Sequence, residues 1–363
     1  MNLAILGTRG IPARYGGFET FAEELSRRLV RRGHQVTVYC RQRPQTAEID
    51  GVRLRHLPTI RHKYLETVVH TFLSTLDILL RRPQAAIYCN AANAVFTWLP
   101  RVCGIPVALN VDGLERKRKK WNLLGKLWYR VSERLATFCP TAVVTDAQSI
   151  ADYYRTRYAK HTHFIPYGAE TGKTPGADAL RGIGVEPGRY FLYVSRMEPE
   201  NNALLVREAF ERVETDMKLA LVGDAPYAQD YLRRVRATRD PRIVMPGAIY
   251  GRGYHELTSH CFAYIHATEV GGTHPALIEA MGRGALVLYL RTPENEEVAG
   301  DAGIPFENDL AEKIRLALAM PDAERVEWRR RAEARVAQRY DWDAVTAAYE
   351  RLLSALVAAG KPS

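Results

Sequence analysis

Three loops in this sequence hold glycines and charged residues at spacings suited to binding an anion or a sugar. The first loop, residues 7–20, carries two arginines and places a pair of glycines just before an amphipathic segment. Glycines at a helix N-terminus let backbone N–H groups approach an anionic oxygen, and the helix dipole favours negative charge there. The loop is therefore a candidate anion site, and a tight turn that needs glycine is the alternative. Its candidate residues are Arg9, Gly16, Gly17 and Glu19.

The second loop, residues 193–202, follows a predicted strand and contains Arg196. A guanidinium group at the end of a strand can bind a phosphate through two parallel hydrogen bonds. We therefore assign Arg196 to a ligand phosphate. Asn202 either belongs to the same site or caps the helix that follows, and the sequence leaves both interpretations open.

The third loop, residues 269–274, opens a helix with the residues Gly271, Gly272 and Thr273. Such a loop can cradle a phosphate with its backbone N–H groups, and Pro275 suits the first helical turn. Glu279 lies one turn further in, where its carboxylate could accept hydrogen bonds from two neighbouring ribose hydroxyls. A solvated glutamate is the alternative, but the apolar residues around it favour a site residue.

Alternating strands and helices in two halves must position these loops. Apolar runs predict strands at 3–7, 35–40, 52–57, 85–89, 107–111 and 142–145, and again at 190–195, 219–222, 243–245, 262–265 and 286–290. Helices are predicted at 18–32, 65–80, 94–103, 123–138, 149–158, 204–213, 227–238, 254–260 and 276–282. This alternation predicts two parallel sheets whose ligands bind beyond the carboxyl ends of the strands. We expect domains at residues 1–170 and 171–340, joined by a Gly- and Pro-rich linker, with a substrate cleft between them.

Composition excludes several classes of protein. The chain has 363 residues and a net charge of +10. Residues 1–170 hold 26 Lys and Arg against 13 Asp and Glu, and the remainder holds 25 against 28, so the positive excess belongs to the first half. The sequence shows no signal peptide and no apolar run of the ~20 residues that span a bilayer. Five scattered cysteines show neither a disulfide nor a zinc pattern, and we expect a cytoplasmic protein.

Taken together, the motifs resemble those of the GT-B glycosyltransferases of retaining family 4. Within that family the chain is most similar to the rhamnosyltransferase-like branch associated with surface polysaccharides. The segments that carry the resemblance are Gly7–Pro12, Tyr15–Thr20, Val111–Glu115, Lys120-Trp121, Ile165–Gly168, Arg196–Asn202, Gly271–Thr273 and Tyr340–Trp342. The resemblance implies an α/β GT-B fold, with two Rossmann-like domains facing each other across a cleft. The C-terminal helix of residues 341–363 would pack back on the first domain.

The resemblance also implies an activity and a role for each matching residue. The enzyme would move a sugar, rhamnose above all, from a dTDP- or UDP-sugar to a hydroxyl of a lipid-linked or cell-surface glycan precursor, without a cofactor or a metal. Arg196 would contact the donor diphosphate, Glu279 the donor ribose, and Gly16-Gly17 the diphosphate or the acceptor. The other donor-binding positions would be Asn201, Gly247, Gly271, Gly272, Thr273 and His274.

Two positions depart from the family pattern, and a third is of interest for catalysis. The family often has a lysine where this chain has Asn201, and the first glutamate of its Glu-x7-Glu motif is Gly271 here. Glu269 is a candidate replacement for that glutamate. Asp112 follows a predicted strand where many members carry a histidine near the reacting sugar. It could orient or deprotonate the acceptor, and a turn or helix-cap aspartate is the alternative.

A basic run beside an amphipathic helix suggests an anionic membrane surface or a phosphorylated lipid acceptor. The patch consists of Arg116, Lys117, Arg118, Lys119, Lys120 and Trp121. The alternative is a solvated charge run whose aromatic neighbours lie in the core. Peripheral attachment to the inner face of the plasma membrane is thus a hypothesis. Charge alone would also allow a nucleic-acid partner, but no recognised binding module is present and we expect none.

Two other functions compete with sugar transfer. One is a GT-B nucleotide-sugar epimerase that hydrolyses its donor and needs no basic, aromatic helix. The other is a catalytically inactive nucleotide-binding homologue, which the two missing motif residues would suit.

Overall fold

The computed structural model describes residues 1–14, 16–60, 62, 65–119, 121–225 and 228–360, and it divides the chain into two compact units. Each unit is built around one sheet. The first comprises most of the chain up to Tyr167 together with the last helix, and the second comprises residues 168–341 with the short segment that contains Arg118 and Lys119.

Eight strands form the sheet of the first unit. They are β1 (Asn2–Leu6), β2 (Gln35–Cys40), β3 (Glu48–Ile49), β4 (Val52–His56), β5 (Ala85–Cys89), β6 (Val107–Asn110), β7 (Ala142–Thr145) and β8 (His163–Phe164). Their order is β3-β4-β2-β1-β5-β6-β7-β8, and every pairing is parallel except that of β3 with β4. The central strands are apolar and fully buried, as expected of a parallel sheet covered on both faces.

Helices connect these strands in the order that the alternation predicts. They are α1 (Gly17–Arg31), α2 (Glu66–Arg81), α3 (Trp98–Val102), α4 (Leu123–Ala136) and α5 (Gln148–Tyr158). Two 3₁₀ turns, Ala91–Phe96 and Glu115–Lys117, precede α3 and α4 respectively. The single helix predicted at 94–103 is therefore a 3₁₀ turn followed by a short α-helix.

The second unit repeats the pattern with six parallel strands. They are β9 (Tyr190–Val194), β10 (Lys218–Val222), β11 (Ile243–Gly247), β12 (Ala263–His266), β13 (Leu286–Leu290) and β14 (Ile304–Phe306), in the order β11-β10-β9-β12-β13-β14. The helices are α6 (Asp178–Gly182), α7 (Ala203–Glu211), α8 (Gln229–Arg236), α9 (Arg252–His260), α10 (Pro275–Gly282), α11 (Pro293–Ala299), α12 (Leu310–Ala319) and α13 (Asp322–Arg339). The short strands β3, β8 and β14 are the ones that the sequence patterns missed.

The last helix, α14 (Trp342–Ala359), packs within the first unit. Its Tyr349 hydroxyl accepts a hydrogen bond from Asn110 Nδ2 at 2.9 Å. Glu350 contacts Arg32 at 2.9 Å and His34 Nε2 at 2.8 Å. The helix is thus fixed by a buried polar contact on one side and by an ionic cluster on the other. No helix among the described residues combines the length and the apolar character needed to cross a membrane.

Candidate functional site

The carboxyl ends of β9, β10 and β11 meet in the second unit. Ser195 N–H donates to the carbonyl of Val222 at 3.1 Å, and Gly223 N–H donates to the carbonyl of Gly247 at 2.9 Å. Gly223 has φ +148°, and a Cβ atom there would lie 1.8 Å from the carbonyl oxygen of Ser195. Only glycine fits at this contact. The loop that carries Arg196 is therefore held at the edge of the sheet where ligands of open α/β folds bind.

Hydrogen bonds around its backbone position Arg196. Asn201 Nδ2 and Ser195 Oγ both donate to the Arg196 carbonyl oxygen, at 2.6 and 2.9 Å, while the buried Tyr193 hydroxyl donates to the carbonyl of Asn201. Arg196 itself is half-buried. The side chain of Asn201 thus shapes the loop from within. Direct contact of Asn201 with a donor stays a prediction.

The next loop along the sheet, after β12, is tied to the Arg196 loop by Glu269. Its N–H donates to the carbonyl of Glu200 at 2.9 Å, and its carboxylate accepts from Asn202 Nδ2 at 2.9 Å. The other carboxylate oxygen lies 3.0 Å from Lys119 Nζ. Asn202 does precede α7, but its side chain makes no capping hydrogen bond, so the helix-cap interpretation of that side chain is wrong.

A buried histidine explains the glycine that replaces the first motif glutamate. A Cβ atom on Gly271 would lie 2.3 Å from His274 Nε2, so no larger side chain fits there without movement. Asn295 donates to the carbonyls of Thr268 and Leu290, and its Oδ1 therefore accepts from His274 Nδ1 at 2.7 Å. Burial lowers the pKa of His274, and the nearby Arg118 charge lowers it further. The imidazole is thus neutral with its proton on Nδ1.

A second imidazole, which the sequence patterns missed, packs against the first with the two ring planes tilted by 46°. The ring centroids of His266 and His274 are 4.9 Å apart, and burial holds the pKa of His266 well below its ordinary value. Two neutral rings in tilted contact thus lie beneath the Gly-Gly-Thr loop. The apolar run of strand β12 indicates that position 266 is buried, but it gives no sign of the partner eight residues later.

Glu279 lies on the second turn of α10, which begins at Pro275 as predicted. The side chain is half-buried. Burial raises the pKa of the Tyr254 phenol well above its ordinary value, and the neighbouring Glu279 carboxylate raises it further. A carboxylate beside a buried phenol on a mostly apolar helix is not a freely solvated one. Strands β9 and β12 are adjacent, so Arg196 and the loop before α10 lie at neighbouring strand ends.

In the first unit, the loop after β1 is held by carboxylates. Gly7 has φ +89°, and a Cβ atom there would lie 2.3 Å from the Cys89 carbonyl oxygen. The buried Glu19 accepts from Arg9 N–H at 2.8 Å, and the Arg9 guanidinium pairs with Glu66 at 3.0 Å. Arg9 and Glu19 therefore shape this loop.

Helix α1 begins at Gly17, with Gly16 in extended backbone and no side-chain cap. This matches the predicted helix N-terminus. Tyr15 of the same motif lies outside the described residues.

Asp112 follows β6 in a left-handed conformation with φ +55°. Its N–H donates to Asn110 Oδ1 at 3.0 Å, and burial together with the Asp112 charge raises the pKa of Tyr167. The next helical turn begins only at Glu115, so the helix-cap interpretation is wrong. A non-glycine residue in this backbone region costs roughly 1–3 kcal/mol and often marks a functional position.

The basic run is not one exposed patch, in contrast to the sequence-based expectation. Arg116 donates to both oxygens of the buried Glu133, at 2.9 and 3.2 Å, and Arg118 is buried. Lys119 pairs with Glu269, as described above. Within the run, only the side chains of Lys117 and Lys119 are exposed among the described residues.

The ends of the predicted patch show the same contrast. Trp121 donates to Glu115 at 3.4 Å and packs on the Tyr129 ring, with centroids 5.2 Å apart. Lys120 lies outside the described residues. No group of three or more His, Cys, Asp or Glu in the described part of the chain could hold a metal ion, and metal independence stays a prediction.

Two family profiles match most of the chain, and together they include every candidate site residue except Arg9. Residues 16–168 match the glycosyl transferase 4-like domain, and residues 188–320 match the glycosyl transferases of group 1. The chain belongs to this family. The resemblance inferred from the motifs is thereby confirmed at the level of the family, whereas the rhamnosyltransferase branch stays a prediction. A search of curated protein sequences gives no significant match.

Solved structures agree with this glycosyltransferase assignment in fold. A sucrose-phosphate synthase from Thermosynechococcus elongatus superposes with a TM-score of 0.82 at 18% identity, covering 98% of this chain and 99% of its own. HepE of Anabaena in complex with UDP-glucose gives 0.79 at 16% identity, covering 97% and 99%. WaaG, a glycosyltransferase involved in lipopolysaccharide biosynthesis, gives 0.71 at 15% identity, covering 98% and 99%.

These matches confirm the predicted α/β GT-B fold with its two Rossmann-like sheets. The two family profiles make the enzyme a retaining glycosyltransferase that uses a nucleotide-sugar donor, and neither the sugar nor the acceptor follows from them.

Proposed function

We propose that this glycosyltransferase moves rhamnose from a nucleoside diphosphate donor to a hydroxyl of a lipid-linked or cell-surface glycan precursor. The observation that carries the donor site is the placement of Arg196. Its loop is held by backbone and side-chain hydrogen bonds at the carboxyl end of β9, beside the strand that leads to the Gly-Gly-Thr loop and Glu279. A cation, a helix N-terminus and a carboxylate are groups suited to binding a diphosphate and a ribose.

The proposed transfer step uses this arrangement. The bond between the anomeric carbon and the diphosphate oxygen breaks, and the acceptor oxygen bonds to the same face of that carbon. The acceptor proton passes to an oxygen of the leaving diphosphate, so no separate nucleophile is required. Arg196 and the N-terminus of α10 stabilise the negative charge that grows on the diphosphate, which is the charge that changes most in the transition state.

The choice of rhamnose rests on the space around Gly271. The His274 ring excludes a glutamate at the position where the family commonly places one against the transferred sugar. The carboxylate of Glu269 is already engaged by Asn202 and Lys119. A donor site with one carboxylate fewer suits a deoxysugar, which offers one hydroxyl fewer. HepE of Anabaena was solved with UDP-glucose, so UDP-glucose is the competing donor to test.

For Glu279, we expect the conservative change Glu279→Gln to weaken nucleotide-sugar binding about tenfold. A hydrogen bond to a charged group contributes roughly 1.5–3 kcal/mol, and the neutral amide keeps the shape of the site. Isothermal titration with dTDP and its 3′-deoxy analogue measures the effect, because the 3′-hydroxyl is present in both dTDP and UDP whereas dTDP lacks a 2′-hydroxyl. The analogue should bind wild type and variant with more similar affinities than dTDP does. Equal loss for both nucleotides would contradict a role at the 3′-hydroxyl.

Asp112 is proposed to position the acceptor hydroxyl. We expect Asp112→Asn to lower kcat about tenfold, with the affinity for the donor nucleotide unchanged. Asparagine tolerates the left-handed backbone as well as aspartate does, so the substitution removes charge without adding strain. Donor titration and a melting curve are the controls. Full activity in Asp112→Asn would contradict a role at the acceptor and would leave Asp112 as a turn residue only.

One screen tests the proposed function as a whole. A ligand that binds the folded state raises its melting temperature by mass action, so UDP, dTDP, GDP and their common sugars are compared by thermal shift. We expect dTDP-rhamnose to give the largest shift, and a UDP-sugar in first place would overturn the proposed donor. Release of free sugar without an acceptor would indicate a hydrolysing epimerase. Binding measured by calorimetry without any turnover would indicate an inactive homologue.

A further inference from the structure

Helix α4 is amphipathic, but most of its large apolar side chains face solvent. The side that it buries consists of Gly125, Tyr129, Ser132, Glu133 and Ala136. Leu123 and Leu124 are 85% and 76% exposed, and Leu127, Trp128 and Val131 are also exposed. A surface helix of a globular protein normally turns its leucines inward. Apart from Tyr129 and the partly buried Leu135, this helix instead buries small and polar residues and presents its large apolar side chains outward.

Cations line one border of this apolar stripe. At about 100° per residue, the exposed apolar residues of α4 occupy one arc of the helix. Lys126, Arg130 and Arg134 follow one another at four-residue intervals along its edge, and all three are exposed. None of them forms an ion pair within the described part of the first unit. The outer face of α4 is therefore apolar with a cationic margin.

The apolar surface continues onto the neighbouring helices. The 3₁₀ turn Ala91–Phe96 packs against both α4 and α2, and α2 packs against α3. Phe72 on α2 contacts Phe96 of that turn, with ring centroids 5.8 Å apart. Exposed apolar side chains recur at helical spacing on both helices, namely Phe72, Leu76 and Leu80 on α2 and Trp98 and Val102 on α3.

The second unit has no comparable surface. Its exposed large hydrophobic residues among those described are scattered singly, namely Tyr250, Leu316 and Val326. Single exposed apolar residues are normal, whereas a contiguous apolar surface marks an interaction site. We term the outer faces of α2, α3 and α4 the apolar-basic face, defined by the exposed residues named above.

We propose that the apolar-basic face docks the enzyme on the surface of an anionic lipid bilayer. Leucine and tryptophan side chains would enter the boundary between headgroups and acyl chains, while Lys126, Arg130 and Arg134 contact lipid phosphates. Charge decides against a second copy of the chain as the occupant. A twofold interface on this face would bring two identical rows of cations together, whereas an anionic membrane neutralises them.

This proposal replaces the patch that the sequence suggested. Of the two arginines in residues 116–121, Arg116 is half-buried and pairs with Glu133 and Arg118 is buried, so neither presents an open charge to a membrane. The inference extends the proposed lipid-linked acceptor, yet it stands on a surface that the donor-site argument does not use. Vesicle binding and nucleotide binding can therefore fail independently.

Cosedimentation of the full-length protein with vesicles tests the proposal. We expect binding to vesicles that contain phosphatidylglycerol and weaker binding to phosphatidylcholine alone. Leu123→Ser/Leu127→Ser/Val131→Ser should reduce the partition coefficient at least about tenfold. Lys126→Ser/Arg130→Ser/Arg134→Ser should abolish the preference for anionic lipid, with roughly fivefold lost for each cation. The matched control, Leu316→Ser/Val326→Ser in the second unit, should bind as wild type does.

A second measurement requires no substitution. Trp98 and Trp128 lie on the apolar-basic face, so lipids brominated on their acyl chains should quench the fluorescence of the wild-type protein. Absence of wild-type binding to anionic vesicles would overturn the proposal. So would an equal loss in the control variant, or a dimer that the α4 substitutions dissociate. Nucleotide titration of the same variants should be unchanged, and a loss there would point to misfolding or to the donor site.

Discussion

Replacing Arg196 by alanine is expected to lower kcat/KM about 10²–10³-fold. Arg196 carries the positive charge at the carboxyl end of β9, and the proposed leaving group is a diphosphate whose negative charge grows as the sugar departs. A preorganised donor aimed at a developing charge contributes more in the transition state than in the ground state, and removing one such donor typically has an effect of this size. Binding of the nucleoside diphosphate should weaken as well, because the proposed contact of the guanidinium with the ground-state phosphate would also be lost.

Two comparison variants make this expectation specific. Arg196→Lys keeps the charge but loses the planar pair of donors, and it should recover only part of the activity. Arg189→Ala removes another arginine of the same unit, one that forms an exposed ion pair with Asp216. Exposed pairs contribute little to stability, so this variant should behave as wild type. Unchanged affinity for the nucleoside diphosphate in Arg196→Ala would contradict the placement of the donor site at this loop.

The fold could be predicted because its signals are local. Each central strand is a short apolar run and each connecting helix has its own periodicity, so both parallel sheets could be inferred before their strands were paired. The strands that escaped prediction, β3, β8 and β14, have two or three residues each. A run that short carries no period, and its pairing depends on the neighbouring strand.

The separate loops of the candidate site could be predicted, but the contacts between their residues could not. Arg196 and Glu279 follow from residue type and from position at a strand end or a helix start. The partnership of His274 with Asn295 could not be predicted, because a buried hydrogen bond between residues 21 positions apart leaves no mark in a local pattern. The reason for a glycine at position 271 could not be predicted either. The sequence shows that a glutamate is missing, and the structure shows the imidazole that excludes one.

Charge was the least predictable property. The excess of positive charge in residues 1–170 is a fact of composition, and it suggested that the basic run forms one surface. Consecutive residues of a 3₁₀ turn and of the irregular segment after it point in different directions, so neighbours in the sequence meet different environments. The apolar side chains that follow on α4 show the converse error, because an amphipathic pattern alone does not say which side faces the core.

Arg116→Ala tests the difference in burial between Arg116 and its exposed neighbour. We expect it to lower the free energy of unfolding by about 3 kcal/mol. Arg116 pairs with Glu133, whose side chain is 3% exposed, and donates to the Tyr153 hydroxyl at 3.0 Å. Removing one partner of a buried pair leaves the other charge buried without a partner, which is far more costly than losing an exposed pair. Urea denaturation measures the change. Lys117→Ala, the exposed neighbour, should stay within roughly 0.5 kcal/mol of wild type. The double variant Arg116→Ala/Glu133→Gln should regain part of the loss because no buried charge remains. Equal losses of stability at positions 116 and 117 would contradict this difference in burial and indicate that both side chains are solvated.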